Sequence, residues 1–257
     1  MGFDYLEEWF VDALSEMVDS TAATLELVVL VDVPHKISPE ELERSDPGIA
    51  ERIGRFVQKR VVGDLKRWRP IDELALFDGV DVHTTEGVMD GLQVGLNDET
   101  LETIESSCDV CLHHSVGILT GDILSTTEHG VVGFHHGNLR EYRGGPPGFW
   151  EFLHGRSETG VTVQKFTETL DGGEIVAERT IDITDFHSWE RIREAQHSEA
   201  QDLLAEAISR IRDPEFDPVR LDDSELGTLY TRSDRTKSVK LRYLLKELTS
   251  SVRRALP

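Results

Sequence analysis

The stretch GVVGFHHGNLREYRGG, residues 130–145, decides the fold class and points to a functional site. Its first residues are small and β-branched, which predicts a buried strand. The strand runs into His135 and His136, and a turn with Tyr142 and Arg143 follows. A turn has no structural need for so many side chains that bind protons. Because neighbouring residues of a strand point to opposite faces, we expect one of the two histidines to face a site.

Strands and helices alternate on both sides of this stretch. Strands are predicted at 24–33, 109–115, 130–136, 160–169 and 174–183, with a weaker one after residue 88, and helices at 3–19, 49–66, 120–127 and 188–212, the last capped by Ser188. Such alternation is typical of the α/β class, and it predicts a Rossmann-like, doubly wound, mostly parallel sheet. Sites in such sheets lie at the carboxyl ends of strands, which is where His135 falls.

The charge narrows the classes of partner. The chain has 49 acidic and 27 basic residues, a formal charge of −22. Mutual repulsion of the acidic side chains is reduced in concentrated salt, so we favour a protein that works there over an ordinary acidic enzyme. The same charge disfavours nucleic-acid binding by the body of the chain. The longest apolar run, residues 27–31, cannot span a membrane, and the acidic N-terminus lacks the basic region of a secretory signal. We therefore expect a cytoplasmic protein with no membrane partner.

The C-terminal part differs in charge from the rest. We expect a catalytic domain over residues 1–212 and, over 213–257, a linker with a basic amphipathic helix. Residues 232–257 hold eight basic and two acidic residues. An apolar stripe is formed there by Leu241, Leu244, Leu245, Leu248 and Val252. Docking on the chain's own body, or on a sister subunit in a homodimer, is favoured over docking on nucleic acid or a membrane.

Cofactor motifs of the common kinds do not occur. Cys108 and Cys111 have the C-x-x-C spacing of a metal or redox pair, but no second pair completes a zinc site. We favour a buried strand in which cysteine acts as a small apolar residue, and we expect no metal. The sequence also lacks G-x-G-x-x-G, Walker A and H-E-x-x-H patterns.

A histidine and an aspartate are the candidates for chemistry. His135 ends its strand, and a histidine there can act as a general acid or base near neutral pH. Asp171 lies in the turn TLDGGEIV and can fix the tautomer of a histidine. The alternatives are a structural histidine and a turn aspartate that accepts backbone hydrogen bonds.

From about residue 109 to 183 the chain resembles the formyltransferases that use 10-formyltetrahydrofolate, a family that includes methionyl-tRNA, glycinamide ribonucleotide and sugar-amine formyltransferases. The resemblance rests on four motifs in the family's order: SVGIL at 115–119, GFHHGNLREYRG at 133–144, TGVTV at 159–163 and LDGGEIV at 170–176. It implies the formyltransferase type of the Rossmann-like fold, and 10-formyltetrahydrofolate as the formyl donor.

The resemblance also implies roles for individual residues. The family's catalytic histidine and aspartate fall on His135 and Asp171, and its asparagine, which holds the formyl oxygen, falls on Gly133. Asn138 is our candidate to supply the missing donor. Tyr142 and Arg143 would face the acceptor, although Arg143 fits equally well as a brace for its loop. The folate pocket would be lined by Val116, Gly117, Ile118, Leu119, Thr169 and Leu170.

Two further expectations follow from the resemblance. Family members open with a strand before the first helix, whereas this chain begins in what resembles that helix. We therefore expect either that the sheet lacks an edge or central strand or that the start of the gene is misplaced. The acceptor should be the amine of a small molecule, such as an amino sugar. The alternatives are methionyl-tRNA, water as in a formyltetrahydrofolate hydrolase, and a degenerate site that only binds folate or a partner.

Overall fold

The structure is a computed structural model that describes residues 1, 4–33, 68–91 and 93–255, with side chains through residue 250. The helix expected at 49–66 lies outside the described residues. The strands are β1 (Tyr5–Glu7), β2 (Leu27–Asp32), β3 (Trp68–Pro70), β4 (Asp81–Glu86), β5 (Val88–Asp90), β6 (Gln93–Gly95), β7 (Cys111–Leu112), β8 (Ile118–Leu119), β9 (Val131–His135), β10 (Tyr142–Gly144), β11 (Glu158–Lys165), β12 (Glu174–Asp182) and β13 (Thr228–Tyr230). The helices are α1 (Glu8–Ser20), α2 (Asp98–Ser107), α3 (Phe149–His154), α4 (Trp189–Ile211) and α5 (Lys237–Ala255).

Strand β9 lies inside a sheet that contains both parallel and antiparallel pairs. The largest sheet has the order β12-β11-β9-β7, in which β7 runs parallel to β9, and β11 is antiparallel to both β9 and β12. Parallel pairs also join β2 to β4, β6 to β8 and β10 to β13. The expected α/β class is confirmed. The strand predicted at 109–115 is shorter than expected, because only Cys111 and Leu112 pair with β9.

Helices cover both faces of this sheet because the apolar residues of β9 alternate. Val132 packs with α1 and α4 in the main core, whereas Val131 packs with Ile104 of α2 on the other face. Both valines are fully buried. This is the doubly wound arrangement that the alternation of elements predicts.

A buried glutamine ties α4 to the strands that carry the site. Ser188 caps the helix, as predicted, by accepting a hydrogen bond from the Arg191 amide at 3.3 Å. Two turns further on, the Nε2 of Gln196 lies 3.2 Å from the carbonyl oxygens of His136 and Gly160 and 2.9 Å from the Thr159 hydroxyl. Gln196 is fully buried, so these contacts set the height of α4 over the ends of β9 and β11.

The C-terminal helix docks on the body, but not through the predicted stripe. Tyr243 packs with α3, the Nζ of Lys246 donates to the carbonyl of Phe152, and Glu247 accepts a hydrogen bond from the Trp189 amide at 3.2 Å. The leucine stripe of this helix lies elsewhere, and Leu241, Leu244, Leu245 and Leu248 are exposed. Docking of the helix on a sister subunit stays a prediction.

The stretch expected as a linker also contacts the body. Val219 forms a bridge with Ile175, and β13 lies beside β10. The division of the chain near residue 212 stays a prediction. Among the described helices, none has the length and apolar character required to cross a membrane.

We expect Gln196→Leu to lower the free energy of unfolding by about 2 kcal/mol, because it leaves buried carbonyl groups without their donor. Thermal and denaturant unfolding would measure the loss. The matched control is Gln201→Leu, which removes an exposed hydrogen bond to Asp12 from the same helix and should cost much less. Equal losses in the two variants would contradict the role given to Gln196.

Candidate functional site

A histidine–aspartate pair lies at the carboxyl end of β9. The Nδ1 of His135 is 3.5 Å from the Oδ1 of Asp171. The Nε2 of the same ring donates to the carbonyl oxygen of Tyr142 at 2.9 Å. The Oδ2 of Asp171 accepts a hydrogen bond from the Gly144 amide at 2.7 Å. The sequence prediction that these two side chains meet therefore holds in the structure.

The surroundings favour the ionised forms of both partners. Burial lowers the pKa of His135, but the hydrogen bond and charge of Asp171, together with the Tyr142 carbonyl, outweigh it and raise the net pKa above the ordinary value. Burial raises the pKa of Asp171, but His135 and the donors Gly144 and Gln164 outweigh it and lower the net pKa. Since both ring nitrogens face groups that only accept, the imidazolium form fits the site best.

A cleft of about 140 Å³ opens beside Asp171. One wall is the segment of Gly117, Ile118 and Leu119, and the other is the turn of Thr169 and Leu170. The predicted folate-pocket residues are thus brought together, with one exception. Val116 is buried in a small core with Val31, Val33 and Val94. His135 is 6% exposed and lies behind Asp171, which itself lines the cleft.

The place of the absent asparagine is filled by an aromatic ring. A Cβ atom added to Gly133 would lie 2.7 Å from the Cζ of Phe166. Gly133 is therefore required by the position of Phe166, which packs over β9. Opposite Gly133 in the ladder stands Gln164 of β11. Side chains of paired residues lie on the same face, so a carboxamide stands next to the position that lacks one.

Gln164 is held in one orientation. Its Oε1 accepts a hydrogen bond from the Gly173 amide at 3.1 Å, so its Nε2 points towards the Oδ1 of Asp171, 3.4 Å away. The side chain is 3% exposed and lines the cleft. Gln164 is not among the site residues predicted from the sequence. The signal available was its place in TGVTVQ, where a polar residue stands in an otherwise buried strand.

Comparison with known proteins finds a similarity to formyl transferases. Residues 97–208 match the family model described as formyl transferase. This part of the chain is thus similar to formyl transferases. It is 33% identical over 117 residues to a methionyl-tRNA formyltransferase from Listeria innocua, a match that covers 45% of this chain and 36% of that relative. The chain thus spans about a third of the length of this curated relative.

Solved structures show the same fold at low identity. Glycinamide ribonucleotide transformylase 1 from Symbiobacterium toebii superposes with a TM-score of 0.52 and 16% identity, over 83% of this chain and 89% of that one. A candidate sugar N-formyltransferase from Mycobacterium tuberculosis superposes with a TM-score of 0.51 and 19% identity, over 88% and 87%. These likenesses support the formyltransferase type of Rossmann-like fold.

Two of the residues expected at the formyltransferase site make contacts away from His135 and Asp171. The Oδ1 of Asn138 accepts the amide of Arg140 within its own turn, and no described hydrogen bond joins Asn138 to His135 or Asp171. The Tyr142 hydroxyl bonds His154 and Arg156, towards α3 and away from the cleft. The expectations that Asn138 supplies the missing donor and that the Tyr142 side chain faces the acceptor are therefore not supported.

Arg143 acts as a brace for the site. Its Nε donates to the carbonyl of Gly227 at 2.8 Å, and its NH1 donates to the carbonyl of Leu170 at 3.3 Å. Both partners are backbone groups, so of the two alternatives for this residue the structure favours the bracing role. The arginine joins β10 to the turn that carries Asp171.

The two cysteines are free thiols. Cys111 lies in β7, and burial raises the pKa of its thiol to about 12. Among the described residues, no group of three or more histidine, cysteine or acidic side chains could hold a metal ion.

The second histidine faces the opposite side of β9, as the strand geometry predicts. The His136 ring packs against Trp9 and His197, with ring centroids 4.8 and 5.2 Å away. Burial, and then the positive charges of His197 and other neighbours, hold the pKa of His136 well below its ordinary value. His136 is therefore neutral in the folded protein at neutral pH.

This arrangement makes stability fall in acid. Below about pH 6.5 the unfolded chain binds a proton at His136, whereas the folded chain binds one there only at much lower pH. As the pH falls through this window, the free energy of unfolding therefore decreases by about 1.4 kcal/mol per pH unit. We expect His136→Phe to flatten this part of the pH–stability curve, measured by unfolding between pH 7 and 5. His187→Phe, at an exposed position, is the control. An unchanged slope in His136→Phe would contradict the assignment.

Proposed function

We propose that this protein transfers the formyl group of 10-formyltetrahydrofolate to the amine of a small molecule, such as an amino sugar. The observation that carries the proposal is the ionised Asp171, paired with His135 and lining a cleft in a formyl transferase domain. Acyl transfer to an amine needs a fixed proton acceptor and a positive group near the developing oxyanion. The pair supplies both.

The formyl donor would bind along the cleft beside Asp171. Gly117, Ile118 and Leu119 offer backbone groups and apolar side chains on one wall, and the 40% exposed Leu170 lies at its edge on the other. A cleft of about 140 Å³ is smaller than most ligand pockets, so only the part of the donor nearest the formyl group would be enclosed.

The reaction would proceed by attack of the acceptor nitrogen on the formyl carbon. The new C–N bond forms a tetrahedral intermediate, the bond between that carbon and N10 of the folate then breaks, and the proton lost by the amine passes to N10. Asp171 would take that proton, directly or through water, and then release it. His135 would hold Asp171 in place and stabilise the negative charge of the intermediate.

Gln164 would provide the hydrogen bond to the formyl oxygen that the family's asparagine gives. Its position opposite Gly133, its orientation towards Asp171 and its place in the cleft wall support this role. A single donor to an oxyanion is typically worth about 2.7 to 4 kcal/mol in the transition state.

The charge of the chain supports a small acceptor. A formal charge of −22 opposes the approach of an RNA backbone. One observation favours a second candidate, a folate-binding protein without transfer activity. Both nitrogens of the His135 ring are already engaged, by Asp171 and by the Tyr142 carbonyl.

We expect a stable 10-formyltetrahydrofolate analogue to bind the protein in calorimetry performed in molar salt, where the acidic surface is screened. Leu170→Glu should weaken binding at least tenfold, because it places a carboxylate at the edge of the cleft. Leu241→Glu is the matched control, an exposed leucine on α5. No binding by the folded wild-type protein would exclude the folate-dependent function.

We expect Asp171→Asn to lower kcat for an amine acceptor by about two to four orders of magnitude, since a positioned acid or base contributes that much. Gln164→Leu should lower kcat by about two to three orders of magnitude, as loss of one oxyanion donor does, with the affinity for the donor nearly unchanged. A screen of small amines would identify an acceptor, and initial rates of wild type, Asp171→Asn and Gln164→Leu with that acceptor would then measure both losses. Analogue binding without transfer to any amine or to water would favour the second candidate.

A further inference from the structure

The cleft wall that begins at Gly117 is attached to the sheet by a side chain. The Nε2 atom of His113 lies 3.0 Å from the carbonyl oxygen of Gly117. A carbonyl oxygen only accepts, so the imidazole is the donor in this hydrogen bond. His113 follows β7 directly, and its amide donates to the carbonyl of Val132 at 2.8 Å. One residue therefore joins the cleft wall to β9, the strand that carries His135.

The turn between His113 and Gly117 contains two residues in the left-handed region of backbone space. Ser115 has a φ of 58° and Gly117 has a φ of 117°. Glycine adopts such angles readily, but a residue with a side chain holds them only where neighbouring contacts fix the backbone. The hydrogen bond from the imidazole to Gly117 joins the two ends of this turn, and it is such a contact.

His113 also stands beside the position where the resemblance implies an asparagine. The parallel pairing of β7 with β9 places His113 level with Gly133, and Gln164 pairs with the same glycine from the other side. A Cβ atom added to Gly133 would lie 3.3 Å from the Cβ of His113, so the imidazole leaves the sheet on the face that lines the cleft. Its ring packs with that of Phe166, at a centroid distance of 5.0 Å.

The far end of the same wall is attached to the opposite side of the cleft. The Thr120 hydroxyl donates to the Oε2 of Glu168 at 3.0 Å, and both residues line the cleft. Between the two ends, Ile118 and Leu119 pair with β6. The wall is therefore fixed along its length, and its first residue is fixed by the imidazole.

We propose that His113 is a positioning residue for the formyl donor, an inference that rests on the proposed function. Its imidazole holds the carbonyl of Gly117, and with it the start of the wall, at the distance from Asp171 that the donor requires. The donor contacts the wall, so His113 acts on binding through the backbone of Gly117. His113 lies outside the four motifs that carry the resemblance, which therefore assigns it no role.

Two substitutions separate this role from a general effect on folding. His113→Leu removes the donor of the hydrogen bond, whereas His113→Gln keeps an N–H group that can donate to the Gly117 carbonyl. His83→Leu is the matched control, because the Nε2 of His83 lies 3.1 Å from the Thr100 hydroxyl. His83 is on β4 and is not among the described residues that line the cleft.

The first measurement is calorimetry with the stable 10-formyltetrahydrofolate analogue in molar salt. We expect His113→Leu to bind the analogue about tenfold more weakly than wild type, as loss of one hydrogen bond does. His113→Gln should recover most of that affinity, and His83→Leu should bind as wild type does even where its melting temperature falls. With an amine acceptor, His113→Leu should raise KM for the donor by the same factor and leave kcat at saturating donor nearly unchanged.

Equal affinity of wild type and His113→Leu for the analogue would overturn the role of His113 and leave the proposed function standing. A loss in His113→Gln as large as that in His113→Leu would also overturn it, because the hydrogen bond would then not be the cause. A fall in kcat at unchanged KM would do the same, since it would place His113 in the chemical step. No binding by the folded wild-type protein would overturn the proposed function, and the positioning role with it.

Discussion

The partly buried carboxylate of Asp171 is the group on which the site depends. It accepts the Gly144 amide, lies within reach of the Gln164 amide and pairs with His135, so one side chain joins β9, β10 and β11. A carboxylate with so many donors is ionised at neutral pH, and its loss would leave each of those donors unsatisfied at once. The same carboxylate therefore joins the three strands and supplies the ionised group of the site.

The wall of the site around position 133 differs from the pattern that the resemblance implies. The absence of a side chain at Gly133 leaves room for the ring of Phe166. The carboxamide of Gln164 lies opposite, on the neighbouring strand. An asparagine could not be placed at residue 133 with Phe166 in its present position. The departure seen in the sequence is thus a rearrangement of the pocket wall that keeps a carboxamide beside Asp171.

Much of the frame follows from local patterns. The buried run before His135, the paired strands around LDGG and the Ser188 cap all depend on neighbours close in sequence, and they were predicted. The residues of α5 that contact the body were not predicted, because that choice depends on a partner for Glu247 that lies 58 residues away. Gln164 was missed for a similar reason: the side chain that lies opposite Gly133 is set by the register of β11 on β9, which no local pattern fixes.

The contact between Gly133 and Phe166 makes the two positions epistatic. A larger residue at 133 overpacks the wall while the ring is present, and a smaller residue at 166 opens a cavity while the glycine is present, so a single change at either position costs stability. A lineage that has acquired Gly133 and Phe166 therefore retains both residues unless the two positions change together. A motif search that requires asparagine at this point would therefore pass over every descendant that retains the pair.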